Sequence, residues 1–120
     1  MSTAVNNGAT PLYAAAGSGH IDVVRFLVEA GADMNKGIHN GDLNGATPLY
    51  IAAAYCRIDV VRFLVEAGAD MSTAVNNGAT PLYAAAGSGH VDVVRFLVEA
   101  GADMNKGIHN GATPLYAAAS

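Results

Sequence analysis

The phrase Gly-Ala-Thr-Pro-Leu-Tyr occurs four times in this chain, with its threonine at Thr10, Thr47, Thr80 and Thr113. The intervals are 37, 33 and 33 residues, so the chain is an array of one repeated unit. A period of this size belongs to stacked supersecondary units, none of which buries its apolar face alone. Stacking makes an extended surface suited to gripping a partner. It does not by itself make a catalytic pocket.

The totals agree with a folded array. Of 120 residues, 52% are hydrophobic and only 13% charged, which gives ample surface to bury and argues against disorder. The formal charge of −4 argues against a nucleic-acid binder, which needs a basic stripe to neutralise phosphates. Arg25, Lys36, Arg57, Arg62, Arg95 and Lys106 are spread through the repeats and form no cluster. Cys56 is the only cysteine, which excludes an intrachain disulfide and a cysteine-based metal frame. The apolar runs are too short to span a bilayer, so no membrane contact is expected. Met1-Ser-Thr-Ala-Val lacks the basic start and apolar stretch of a secretory signal, so the expected setting is intracellular, cytoplasmic or nuclear.

Residues 8–40 serve as the type unit. Thr10 before Pro11 is a helix start: the hydroxyl accepts from an orphan N–H, and proline at the first helical position loses no bond. Leu12-Tyr13-Ala14-Ala15-Ala16 continues a short helix whose alanines allow close backbone approach, and Gly17-Ser18-Gly19 ends it. A second helix is expected from about Ile21 to Ala30. It is apolar except for Asp22, Arg25 and Glu29, which draw one narrow charged stripe facing water. Asp22–Arg25 and Arg25–Glu29 are spaced to pair, and a helix so apolar is expected to lie between neighbours. After Gly31 the chain turns polar as far as Asn40-Gly41, a hairpin signal.

Thr10-Pro-Leu, Ala15-Ala16, Gly19-His20, Val23-Val24, Leu27 and Gly31-Ala32-Asp33, recurring at this spacing, resemble the ankyrin repeat. The resemblance covers nearly the whole chain. It implies an all-α repeat solenoid of stacked helix-turn-helix units with projecting β-hairpin loops. Residues 1–120 then form a single array, with approximate units 5–37, 38–74 and 75–107 and a partial unit 108–120. It also implies a protein-protein interaction module that is not an enzyme, needs no cofactor, and binds through its concave face and hairpin tips.

The chain departs from the family pattern in three ways. Tyr13, Tyr50, Tyr83 and Tyr116 stand where the family usually has histidine. They are read either as a recognition ladder or as rings packed between repeats with the hydroxyls on backbone partners. The second repeat has Ala54-Tyr55-Cys56-Arg57 where its sisters have Gly17-Ser18-Gly19-His20 and Gly87-Ser88-Gly89-His90. If Gly19 uses positive φ, Cys56 does so at about 1–2 kcal/mol, or the turn is remodelled. The first interval is also longer by Gly41-Asp42-Leu43-Asn44, an insertion at a hairpin tip, where added length costs little.

No histidine or cysteine pairs with another at metal-ligand spacing, and no catalytic constellation stands out. By position, the partner-binding candidates are Leu43, Asn44, Tyr55, Arg57, Asn6, Asn7, Asn76, Asn77 and His109. Small residues such as Ala46, Ala54 and Ala79 lie beside them. Tyrosine and arginine are the types enriched at binding hot spots, so the second repeat is the expected focus. The alternative is a structural spacer or consensus-like scaffold with no dedicated ligand. Residues 1–41 match 71–111 with one change, Ile21 to Val91. Neither end carries a polar capping repeat, so a piece of a longer array and self-association through uncapped ends are further expectations.

Overall fold

A computed structural model of the chain describes residues 9–39, 44–76 and 78–103. Six helices follow one another within them. They are α1 (Pro11–Ser18), α2 (Ile21–Glu29), α3 (Pro48–Ala54), α4 (Ile58–Glu66), α5 (Pro81–Gly87) and α6 (Val91–Glu99). The short α1, α3 and α5 stack in an inner layer with α3 in the middle, and α2, α4 and α6 stack behind them.

Each inner helix begins as the threonine-proline pair requires. The hydroxyls of Thr10, Thr47 and Thr80 accept from the backbone N–H of Tyr13, Tyr50 and Tyr83 at 3.1, 3.3 and 3.2 Å, and proline opens each first turn. Thr47 and Thr80 are buried, so these caps satisfy N–H groups that water cannot reach.

All six described helices end in the same doubly bonded turn. In α1, His20 N–H reaches Ala15 O and Gly19 N–H reaches Ala16 O; in α3, Arg57 and Cys56 make the same bonds to Ala52 and Ala53. This is a Schellman motif, and its second-to-last residue needs a left-handed backbone. Gly19 and Gly89 meet that need at φ 77° and 76°. Cys56 meets it at φ 59°, the only non-glycine with positive φ among the described residues. The turn is conserved and the cysteine is strained into it.

The main core joins the two layers. Leu12, Leu49 and Leu82 from the inner helices meet Val24, Val60, Val61, Leu64, Val93 and Leu97 from the outer ones. Ala16, Ala52, Ala53 and Ala85 are sealed between them. A smaller cluster of Ile38, Ala46, Tyr50, Val75 and Ala79 lies at the foot of the hairpins.

The two described hairpin bases carry no strand, and in each a pair of bonds joins the two sides. Val75 N–H donates to Ala79 O and Gly78 N–H to Val75 O, at 2.9 and 2.8 Å. The longer loop repeats this pairing, with Ile38 N–H on Ala46 O and Gly45 N–H on Ile38 O, at 2.9 and 2.7 Å. The four extra residues therefore enter between unchanged ends. Gly37 sits against this base so closely that a Cβ would lie 2.7 Å from the Gly45 carbonyl.

Two expectations for the outer helices need correction. Arg25 does not pair with Asp22 or Glu29; its guanidinium lies over the Phe63 ring of the next repeat, 5.5 Å from the centroid. Nor is α2 covered on both sides. Val23 and Phe26 are 48% and 70% exposed, because α1 covers the inner side of α2 and α4 is the only described outer helix beside it.

Because Cys56 carries a Cβ at positive φ, Cys56→Gly should raise stability by about 0.5–1 kcal/mol after the entropy of glycine in the unfolded chain is subtracted. Urea denaturation reads this directly. An unchanged or lower midpoint at the same m-value would mean that the turn carries no strain.

Candidate protein-interaction site

The second repeat gathers its unusual residues on one face. Ile51 and Tyr55 are four residues apart, so both project from the same side of α3, toward α1. There they meet Tyr13, Ala14, Gly17 and Ser18, and with Arg57 they line a groove of about 460 Å³. Ile51 is buried at its floor, whereas Tyr55 remains 57% exposed. Gly17 leaves room for this arrangement: a Cβ there would stand 3.1 Å from Ile51 Cγ1.

Arg57 is tied to the scaffold. Its Nε donates to the Gly17 carbonyl at 2.9 Å, across to the preceding inner helix. His90 occupies the corresponding place one repeat later, and its Nε2 meets the Ala54 carbonyl at 3.0 Å. A carbonyl only accepts, so His90 must hold its proton on Nε2. Each bond satisfies a helix-end carbonyl that has no partner within its own helix. Arg57 thus substitutes for the histidine of its sisters while bringing a permanent charge to the groove.

The tyrosines do not form one uniform row. Tyr50 is buried, Tyr13 and Tyr83 are half-buried, and all three pack in or against the hairpin-foot cluster. None of their hydroxyls bonds another described residue, so the expected backbone partner is not found among them. Burial raises the Tyr13 hydroxyl above its ordinary 10.0, and the neighbouring Tyr55 and Tyr50 raise it further. Burial raises Tyr50 as well. Around neutral pH these groups are protonated, so Tyr13 adds no charge to that of Arg57 in the groove.

The other expected contact residues are dispersed. Asn44 is half-buried at the hairpin base and Asn76 is exposed at a tip. Leu43, Asn6, Asn7, Asn77 and His109 lie outside the described residues. Ala46 and Ala79, grouped with the tips by position, are buried in the hairpin-foot cluster and do not form part of the exposed surface. Ile51 is the residue that position alone did not single out. Its signal was nevertheless present, since Ala14 and Ala84 stand at the same place in the sister repeats.

No group of three or more His, Cys, Asp or Glu able to hold a metal occurs among the described residues. No described helix is long and apolar enough to cross a membrane. A family model of ankyrin repeats, in three copies, matches residues 1–75 and 70–120. The chain belongs to the ankyrin repeat family. No curated protein matches it. Ankyrin repeats are generally protein-protein interaction modules and typically not enzymes. In this ankyrin array, the groove between the first two repeats is where Ile51, Tyr55 and Arg57 of the second repeat gather.

Two outcomes follow from the groove geometry. Arg57→His should keep most of the stability, because His90 makes the equivalent bond. Arg57→Ala should lose about 1 kcal/mol, the size of one net hydrogen bond, in urea denaturation. Equal losses in both variants would mean that the bond to Gly17 contributes nothing. The tyrosines set an alkaline limit. Above pH 10.0 the unfolded chain loses phenolic protons that folded Tyr13 and Tyr50 retain, so stability falls as pH rises. Melting temperatures followed upward from neutral pH should fall less steeply in a Tyr13→Phe, Tyr50→Phe double variant.

Proposed function

We propose that this array binds a protein partner through its concave face, with the groove between α1 and α3 as the primary contact. The observation that carries this reading is the Tyr55 ring, 57% exposed beside a buried isoleucine and a pinned arginine. A large aromatic held outside the core at a rigid turn loses little entropy on binding and supplies apolar area. Arg57 adds charge at the same place, and the two residue types are those most often found at hot spots. On this reading Leu43 and Asn44, in the longer loop of the same repeat, also contact the partner. Asn6, Asn7, Asn76, Asn77 and His109, on the same reading, contribute polar contacts to that partner. A reducing, intracellular setting goes with this reading, since Cys56 is exposed and free.

The spacer reading has one observation in its favour. At the corresponding position of the third repeat the surface is Gly87-Ser88-Gly89, exposed and without an anchor. An array built only of such turns would hold distance and little else. The second repeat is where the two readings part.

Peptides selected from a display library against the intact chain provide the test. Tyr55→Ala should weaken a selected ligand at least tenfold, about 1.4 kcal/mol, whereas Ser88→Ala should leave affinity unchanged. Equal losses in the two variants, or no saturable ligand at all, would favour the spacer.

A further inference from the structure

The outer helices carry a directional series of cation–π contacts. Arg25 of α2 lies over Phe63 of α4, and Arg62 of α4 lies over Phe96 of α6, both at 5.5 Å. Each repeat thus gives an arginine to the next and receives one from the repeat before. The series is open at both ends. Phe26 is 70% exposed, and no described aromatic ring lies beneath Arg95.

The apolar residues beside this series are open in the same sense. Val23 is 48% exposed, whereas Val60 and Val93, its equivalents with a repeat in front of them, are 1% and 0% exposed. Pro11 is exposed where Pro48 and Pro81 are buried, so the front face is open in both layers. On the rear face Val91 is 62% exposed, although Ile21 and Ile58 at the same position are half-buried. Val94 is half-buried where Val24 and Val61 are sealed.

These two faces are complementary in detail. The sequence of α6, Val-Asp-Val-Val-Arg-Phe-Leu-Val-Glu, differs from α2 and α4 only in its first residue. It therefore presents rearward the side chains that α2 presents to α4. The open front of α2 likewise carries the valine and phenylalanine that α4 and α6 offer to the helix before them. We propose that the front face of the first repeat receives the rear face of a second copy of this chain, with Arg95 over Phe26. Val91 and Val94 then cover Val23, and the contact repeats the outer-helix pairing of α2 with α4 and of α4 with α6. Because it joins unlike faces and repeats the same step, it does not close into a symmetric dimer. It extends head to tail. The desolvated arginine-ring contact and the apolar pairs act together in holding it.

Sedimentation of the full chain from micromolar to near-millimolar concentration tests this. The weight-average mass should climb past that of a dimer without a plateau. Phe26→Lys blocks the front and Val91→Lys blocks the rear, both at exposed positions, and circular dichroism checks that each variant keeps its helices. Each alone should stay monomeric. An equimolar mixture should form a heterodimer and stop there, because one free front meets one free rear and the remaining faces repel. Tyr55→Ala lies away from both faces and should associate like the parent, which keeps this outcome separate from that of the groove. A parent chain that is monomeric throughout, a single variant that still polymerises, or a mixture that stays monomeric would each overturn the proposal.

Discussion

Close stacking of alanine-lined inner helices sets every other distance in this molecule. Ala15, Ala16, Ala52, Ala53, Ala85 and Ala86 are all buried, and their methyl groups are small enough for neighbouring backbones to approach. That approach brings the carbonyl ends of α1 and α3 within reach of Arg57 and His90. It also sets the stagger at which Arg25 meets Phe63 and Arg62 meets Phe96. The loops follow the same step, since Asn35 Oδ1 accepts from the Asp70 N–H one repeat onward at 3.0 Å. A larger side chain in the alanine layer would spread the repeats and weaken all of these contacts together.

The second repeat shows how such a scaffold takes on character without changing its fold. Its helix-ending turn keeps both Schellman bonds although no glycine remains in it. The left-handed conformation passes to Cys56, and the flanking positions are thereby free to carry Tyr55 and Arg57. One of these stays in solvent, and the other reaches back to the first repeat. Ile51 completes the change from below by filling space against Gly17. Four substitutions at separate positions act on one groove because helix periodicity and the turn aim them at the same neighbour.

Much of the architecture was legible from local rules. The threonine caps, the opening prolines, the helix lengths and the left-handed cysteine all depend on residues within a few positions of each other. The inserted hairpin length was legible for the same reason, as its closing bonds are local. What misled was whatever depends on a neighbour in space. Arg25 has two acidic residues at pairing distance along its own helix, yet an aromatic ring of the next repeat offers it a less hydrated resting place. The burial of Ala46 and Ala79 under the hairpins depends likewise on Ile38, Tyr50 and Val75, which belong to different repeats.

The sequence alone determined the repeat, the order and limits of its helices, and the place where the pattern breaks. Those follow from a periodic alternation of caps, alanines and apolar stripes that each unit reads independently. Only the tertiary structure decided that Tyr55, Ile51 and Arg57 share a groove with Tyr13, and that Phe26 and Val91 face outward while their equivalents are covered. Such facts depend on which surfaces the neighbouring repeat occupies. Near-identical helices have near-identical sequences, so nothing local to α2, α4 or α6 distinguishes an end from a middle.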